Sequence, residues 1–146
     1  MRRDSSRRAR ATATARGFDL TTTFVVMRPD QTASTAEVTP TVFEELDRRF
    51  DGFRRHLLVS CFEFDADWST WERHPAGDEF ICLISGRAML VLERESGEDV
   101  VHLDAPGACA LVPKGTWHTA RTSTPTRMLF VTPGEGTENR PVQPEG

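Results

Sequence analysis

The sequence predicts an all-β domain, built as a barrel or a sandwich and preceded by one helix. From residue 56 onward, short apolar segments are separated by turn clusters rich in Gly, Pro and Ser. The clusters recur about every ten residues and include Ser96-Gly97, Ala105-Pro-Gly107, Pro113-Lys-Gly115 and Ser123-Thr-Pro125. Evenly spaced short strands of this kind are typical of an all-β sandwich or barrel.

Apolar runs predict where the strands lie. The first covers residues 21–27, and the polar, turn-rich segment 28–37 is predicted to connect it to the helix. The others cover residues 56–65, 70–74, 79–85, 87–94, 100–103, 108–112, 118–122 and 127–132. The sequence contains no internal repeat, so a single barrel is expected.

One helix is predicted to follow residue 39. Thr39 can cap it, and Pro40 suits the first helical position, where a backbone N–H has no partner to lose. Apolar residues then recur at intervals of three to four and mark one face: Val42, Phe43, Leu46, Phe50 and Phe53. Gly52 is expected to end or bend the helix. We expect the helix to pack on the outside of the barrel and to carry no chemistry.

The length of 146 residues suits one domain. The predicted parts are a disordered basic tail at 1–16, a strand and helix that pack on the barrel at 17–55, the barrel at 56–141 and a flexible C-terminus at 142–146. The tail holds six arginines, one acidic residue and no apolar pattern. A targeting peptide or a start assigned too early are the alternatives, although the apolar stretch of a secretory signal is missing.

Charge and hydropathy argue against nucleic acid and membranes as partners. Outside residues 1–16 the chain carries 12 basic and 21 acidic side chains, a formal net charge of −9. A surface of this sign repels phosphate backbones. The longest apolar runs are about six residues, far short of the ~20 that span a bilayer.

Cys61, Cys82 and Cys109 each lie in an apolar segment. Their odd number and wide spacing provide no disulfide framework, so they predict buried thiols in a reducing compartment. A cytoplasmic protein is therefore expected.

Two separate stretches predict a metal site. In the first, Glu72 and His74 are two residues apart, so on a strand their side chains share one face, and a short loop returns Glu79 toward the same point. In the second, a turn glycine and Pro113-Lys-Gly115 bracket an apolar run, and His118 follows on the next strand. A lone histidine is more often satisfied by the backbone, but two histidines and a glutamate that two separate stretches bring to one point favour metal coordination.

These spacings resemble the two motifs of the cupin superfamily. His74, four residues, Glu79, six residues and Gly86 match the second half of the first motif. Gly107, five residues, Pro113-Lys-Gly115, two residues and His118 match nearly all of the second. The stretches 71–79 and 132–141 look more narrowly like those of small single-domain bacterial cupins. The resemblance implies one jelly-roll barrel, the double-stranded β-helix of cupins. His56 and His102 match neither motif and are interpreted as surface or strand-end residues.

The resemblance implies a metal held by Glu72, His74, Glu79 and His118. A cupin with the usual set uses three histidines and one glutamate, and here Glu72 stands at the position of the first histidine. Its alternative role is a carboxylate that pairs with Arg73 or hydrogen-bonds a ligand imidazole, but strand parity with His74 favours coordination. Two imidazoles and two carboxylates suit one divalent Fe, Mn, Ni or Zn ion.

The expected function is that of a metal-dependent enzyme, of dioxygenase, isomerase or lyase type, acting on a small organic molecule in the barrel. The alternative is a non-catalytic cupin that binds or senses a small molecule, and a fold alone does not choose between them. Strand alternation predicts a mostly apolar pocket wall with Trp71 and Trp117 facing away; the wall residues are Ile81, Leu83, Ala120 and Thr122. A homodimer formed through a sheet edge is expected, since open edges invite pairing.

Overall fold

Eleven strands and one helix form the part of the chain that the computed structural model describes, residues 17–143. The strands are β1 (Thr23–Met27), β2 (Ala33–Glu37), β3 (Leu57–Phe64), β4 (Thr70–Arg73), β5 (Glu79–Ser85), β6 (Ala88–Arg94), β7 (Gly97–Leu103), β8 (Cys109–Val112), β9 (His118–Arg121), β10 (Thr126–Thr132) and β11 (Glu138–Pro141). Helix α1 (Val42–Arg49) precedes a short 3-10 turn at Asp51–Phe53. The predicted tail at 1–16 and residues 144–146 of the predicted C-terminus lie outside the described residues.

The strands form two antiparallel sheets, so the protein is mostly β, as predicted. The first sheet has the order β2-β1-β3-β10-β5-β8, and the second has the order β11-β4-β9-β6-β7. Strands distant in sequence are therefore neighbours, as when β3 pairs with β10. Within residues 17–143, no helix is long and apolar enough to cross a membrane.

Apolar side chains from both sheets fill the space between them. Alternate residues of β5 point inward, so that Ile81 and Leu83 are fully buried. From the second sheet, Leu90, Leu103 and Ala120 meet them in one cluster. Burial of these faces supplies the main favourable term that holds the two sheets together.

A second apolar cluster joins the helix to the first sheet. Val42 and Leu46 of α1 are buried with Phe24 and Val26 of β1. The first turn of α1 carries acidic residues and the last turn basic ones, which suits the helix dipole. Helix α1 already ends at Arg49, before Gly52, and Gly52, at a φ of 64°, adopts the left-handed conformation within the short turn that follows.

The start of the helix and its buried face differ from the prediction. Thr41, not Thr39, precedes the first helical residue, and no side chain caps the helix. The Thr39 hydroxyl is instead buried without a hydrogen-bond partner. Phe43 is 58% exposed because the buried positions, Val42 and Leu46, are four apart and lie on another side of the helix.

Two strands occur where the sequence predicted none. β2 lies in the segment predicted as a connection and pairs with β1 across a tight turn, in which the Arg28 N–H donates to the Thr32 carbonyl at 2.8 Å. β11 pairs with β4 near the end of the chain. Both are edge strands with polar sequences, so they leave little apolar alternation to detect.

The cysteines and His56 are also placed differently from the prediction. Cys61 is buried, but Cys82 is half-buried and Cys109 is exposed. Because Cys82 alternates with inward-pointing residues of β5, it faces outward, opposite Cys109 of β8. His56 is buried among the aromatic rings that follow α1, and its Nδ1 lies 2.7 Å from the Arg54 carbonyl oxygen.

Candidate metal centre

Four side chains meet where β4 ends and where β5 and β9 begin. Glu72 lies on β4, His74 follows its last residue, Glu79 opens β5 and His118 opens β9. Glu72 and His118 are direct partners in the antiparallel pair of β4 and β9, so their side chains share one face. The structure thus brings together all four residues that the sequence singled out.

Glu79 lies between the two imidazoles. Its Oε1 is 3.0 Å from His118 Nε2, and its Oε2 is 3.2 Å from His74 Nε2. Glu72 Oε2 is 3.7 Å from His74 Nε2. Donor atoms of Glu72, His74 and His118 all lie within 4.8 Å of one another, a spacing that one metal ion can bridge. Glu79 contacts both imidazoles, but with a different oxygen for each.

The other ring nitrogen of each histidine is held by a hydrogen bond. His118 Nδ1 lies 3.1 Å from the Thr116 carbonyl oxygen, so it must donate. His74 Nδ1 lies 2.9 Å from the Thr137 hydroxyl, which already donates its hydrogen to the Gly134 carbonyl and therefore accepts. A neutral imidazole that donates through Nδ1 carries its lone pair on Nε2. Both lone pairs are therefore directed at the centre.

The residues fit a metal ion because the atoms that converge lack other partners. Among the described residues, His74 Nε2, His118 Nε2 and Glu79 Oε1 are buried and make no hydrogen bond. The nitrogens lie close to the Glu79 oxygens, but their orientation is not that of a hydrogen bond. Leaving buried polar atoms unsatisfied is costly, and a divalent cation among them would satisfy all three. Thr132 supports the site by donating to Glu79 Oε2 at 2.5 Å.

Burial and neighbouring charges set the ionisation of the centre. Burial alone would raise the pKa of Glu79, but the contacts and charges of His118 and His74 outweigh it and lower the pKa to about 2. Burial acts to lower the pKa of His118, yet the contact with Glu79 raises it above its ordinary value. Burial, and then the Glu79 charge, raise the pKa of Glu72. A proton on His118 therefore competes with a metal for the same nitrogen.

A cavity of about 720 Å³ opens onto the centre. Glu72, His74 and Glu79 line it, while His118 lies behind them and is fully buried. The walls are built from strands of the first sheet, β4 and the loop before it, the loop after β10 with β11, and the helix. Their side chains include Leu58, Ser60, Phe62 and Phe64 of β3, Phe130 and Thr132 of β10, Trp68, and Phe43, Leu46 and Asp47 of α1.

The predicted pocket wall is wrong. Ile81, Leu83 and Ala120 point inward as expected, but they pack into the core cluster and do not line the cavity. Thr122 lies beyond the end of β9, where its hydroxyl donates to the Arg87 carbonyl at 2.6 Å. The barrel interior beyond the centre is filled with side chains, so the free space lies on the β3 side instead. The helix, expected to carry no chemistry, contributes to this space.

Two residues near the centre were not found from the sequence. Trp68 lines the cavity with its ring centroid 6.5 Å from that of His118, and Thr137 orients His74. Both lie in loops, where no strand alternation reports the direction of a side chain. Trp71 and Trp117, predicted to face away, do not line the cavity; the Arg140 guanidinium lies over both rings.

Several solved structures share part of this fold at low sequence identity. A cupin-2 domain protein from Shewanella frigidimarina is 18% identical, with 53% of this chain and 70% of that one covered and a TM-score of 0.45. A cupin superfamily protein from Desulfitobacterium hafniense is 22% identical, with 52% and 65% covered and a TM-score of 0.44. Hydroquinone 1,2-dioxygenase from Sphingomonas sp. TTNP3 is 18% identical, with 52% and 58% covered and a TM-score of 0.45. Identities this low carry no activity over to this chain.

The family itself is given by the sequence match. No curated protein resembles the chain closely enough to count as a match. The Cupin_2 family model, which describes the cupin domain, matches residues 60–132, half of the chain. That half contains Glu72, His74, Glu79 and His118. The chain therefore belongs to the cupin domain family.

Proposed function

We propose that the protein is a metal-dependent cupin enzyme in which Glu72, His74, Glu79 and His118 hold one divalent metal ion. One observation carries the proposal: the Nε2 atoms of two buried histidines converge with no hydrogen-bond partner, while each Nδ1 is occupied. Histidines with a purely structural role use both nitrogens or expose one. Three of these residues, Glu72, His74 and Glu79, line a cavity, which supports a role in chemistry.

The donor set limits the choice of metal. Two imidazoles and two carboxylates are ligands of intermediate hardness, which suit Fe(II), Mn(II), Ni(II) or Zn(II). Four protein ligands would leave positions open on a six-coordinate ion for water or a small molecule. When bound, such a metal supplies Lewis-acid or redox chemistry at the cavity. A dioxygenase, isomerase or lyase reaction on a small organic molecule is compatible with this arrangement.

The chain's own residues prepare the site. The Thr116 carbonyl and the Thr137 hydroxyl fix the tautomers of the two imidazoles, and Thr132 fixes one oxygen of Glu79. Aromatic side chains around the cavity keep water away from part of a bound molecule. Glu72 is half-exposed at the cavity, so it is the ligand best placed to exchange a proton with solvent.

Metal content tests the proposal directly. Protein reconstituted in turn with Fe(II), Mn(II), Ni(II) and Zn(II) should retain about one ion of at least one of these metals per chain. His118→Ala should lose it. The matched control is His102→Ala, because His102 is exposed on β7 and lies outside the cavity. A wild-type protein that holds none of the four metals would refute the metal site.

Turnover is tested separately on the metal-loaded protein. A panel of small organic compounds is screened while oxygen uptake and product mass are followed together. Oxygen uptake that requires both a compound and His118 indicates a dioxygenase, and conversion without oxygen indicates an isomerase or lyase. Binding without conversion across a broad panel would favour the non-catalytic binding protein and contradict the enzymatic part of the proposal.

A further inference from the structure

We infer that the cavity takes a small aromatic molecule whose polar end carries no negative charge, an aromatic alcohol or amine in preference to an aryl carboxylate. Its role as the substrate rests on the proposed function above; its preference for this chemical class rests on the cavity wall, and the donor set of the centre adds to it. Three features of the wall support it: its rings, its charges and its size.

The wall carries a continuous series of aromatic rings that ends at the candidate metal centre. The rings of Phe62 and Phe130 are 5.9 Å apart, those of Phe130 and Trp68 are 5.9 Å apart, and those of Trp68 and Phe64 are 5.8 Å apart. Trp68 lies in turn 6.5 Å from the ring of His118. These separations are those of rings in favourable contact, so the wall presents fixed aromatic edges and faces to a ligand.

Part of this aromatic surface is exposed. Phe43 of α1 is 58% exposed and Phe62 of β3 is 40% exposed, and both line the cavity. Exposed apolar side chains that form a patch beside a cavity are typical of ligand-binding grooves. The volume of about 720 Å³ falls in the ~300–1,000 Å³ range of small-molecule pockets, so a compound of one or two rings fits.

The charged side chains that line the cavity are all acidic. They are Asp47, Glu63, Glu72 and Glu79; among the described residues no Lys or Arg lines it. Arg127, the cation that contacts Glu63, is engaged in that ion pair. A carboxylate ligand entering here would lose water without gaining a cationic partner, which is unfavourable.

The donor set adds to this preference. A divalent ion held by two carboxylates and two neutral imidazoles has a formal net charge of zero, whereas a site with three histidines and one glutamate would keep one positive charge. Glu72, at the position of a histidine in the usual cupin set, therefore reduces the electrostatic attraction that a metal would offer an anion. Neither the wall nor the loaded centre favours a negative ligand.

Calorimetric titration with three compounds that share one ring tests the inference. At neutral pH benzyl alcohol is neutral, benzylamine is positive and benzoate is negative. We expect benzoate to bind about tenfold or more weakly than benzyl alcohol, and benzylamine at least as tightly as the alcohol. Benzoate binding as tightly as the alcohol would overturn the charge preference. Cyclohexylmethanol binding as tightly as benzyl alcohol, or no binding by any of these compounds, would overturn the aromatic preference.

Variants locate the binding site. Asp47→Lys should raise the affinity for benzoate and lower it for benzylamine, whereas Glu44→Lys, on the same helix but outside the cavity, should change neither. Phe62→Ala should weaken all ligands, and Phe18→Ala, an exposed ring outside the cavity, should not. Equal effects of the cavity variants and their controls would contradict this location. Asp47 is exposed, so Asp47→Lys leaves the core intact and its comparison with Glu44→Lys is decisive. The ring of Phe62 also contacts that of Phe24 in the core, so the unfolding temperature of Phe62→Ala is measured beside its affinity.

The titrations are run on metal-free and on Zn(II)-loaded protein, so the two proposals fail separately. The protein could bind the ligands in the expected order and yet bind none of the tested metals. That result would support the cavity inference and refute the metal-dependent function. If the protein binds one metal ion per chain but prefers benzoate, the metal site is supported and the cavity inference is refuted.

Discussion

At the scale of single residues, the candidate centre depends on which nitrogen of each imidazole carries a proton. The Thr137 hydroxyl donates to the Gly134 carbonyl and so can only accept from His74. The Thr116 carbonyl can only accept from His118. Two unrelated acceptors thus impose the same tautomer on both rings, and residues of this kind affect metal affinity without touching the metal.

Removing one of these acceptors should weaken metal binding. In Thr137→Val the hydroxyl is lost while the shape of the side chain is kept, so His74 Nδ1 is no longer held as a donor. We expect metal affinity to fall by about 10- to 100-fold, as is typical for partners of metal-bound histidines. A competition titration with a chelator measures this. Thr137→Ser keeps the hydroxyl and should retain the metal affinity. If Thr137→Val binds metal as tightly as Thr137→Ser, Thr137 does not position His74.

The titrating groups predict how the stability of the metal-free protein depends on pH. The pKa of His118 is raised above 6.5 in the folded protein, so its stabilising contribution is complete below that pH and is lost as pH rises through the folded pKa. The pKa of Glu79 is lowered from 4.5 to about 2, so its contribution is present above 4.5 and is lost as pH falls toward 2. Both stabilising contributions are therefore present between pH 4.5 and pH 6.5.

Denaturant unfolding of the metal-free protein at about pH 6 and at about pH 8.5 tests the alkaline side. Wild type should lose stability over this interval, and His118→Gln should lose less, because its side chain does not titrate. Glu72, whose pKa is also raised, acts in the same direction in both proteins. An equal loss in the two proteins would mean that His118 does not contribute. For the same reason, metal affinity should fall as the solution becomes more acidic and His118 takes up a proton.

At the scale of strands and loops, alternation and turn chemistry predicted the barrel strands and the convergence of the four donors. Glu72 and His74 share a strand face by parity, and turns fix where Glu79 and His118 begin their strands. Periodicity cannot report which part of a barrel interior is filled and which is open, because that depends on the packing of all strands together. Ile81 therefore faced inward as expected and still missed the cavity.

The loops and edge strands were beyond prediction for a related reason. Trp68 and Thr137 reach the centre through the paths of irregular segments, which no repeat in the sequence describes. β2 is stabilised by backbone pairing with the preceding strand β1, and β11 by pairing with β4, which is distant in sequence. The polar side chains of both strands give no apolar signal.

Two cysteines on adjacent strands should form a disulfide when oxidised. Leu83 N–H donates to the Ala108 carbonyl, so the next pair along, Cys82 and Cys109, is a non-hydrogen-bonded pair with Cα atoms about 4.5 Å apart. This separation is within the ~4.4–6.8 Å range that a disulfide spans. Treatment with oxidised glutathione should transfer two electrons and two protons from the thiols to the oxidant and link the strands.

Peptide mapping under non-reducing conditions detects this cross-link. We expect one peptide pair joined through Cys82 and Cys109, with Cys61 still alkylatable after unfolding because it is buried in the native protein. Cys109→Ser should give no internal cross-link. Mapping that finds both thiols free after prolonged oxidation would contradict the expected geometry.

At the scale of the whole molecule, the outer side of β8 presents apolar groups at an edge of the first sheet. Leu111 is 70% exposed, and Ile84 on the neighbouring β5 is 41% exposed. We expect the protein to form a homodimer through this edge, since open edges and exposed apolar groups favour association.

Light scattering at micromolar concentration should give twice the mass of the chain. Leu111→Lys should yield monomers, because a charge on an edge opposes pairing. The matched control is Val100→Lys, since Val100 is 45% exposed at the edge of the second sheet. A wild-type monomer, or dissociation by both changes alike, would rule out assembly through β8.

The family match at residues 60–132 includes the four donors but ends before Thr137 and begins after Phe43 and Asp47. Ligand fit and imidazole orientation thus depend in part on flanking segments that the shared domain does not include. A mutagenesis library confined to residues 17–55 and 133–143 would change the cavity wall that these segments supply without changing any donor atom. New ligand preferences could then be selected by varying these two flanking segments while residues 60–132, which hold the four donors, stay unchanged.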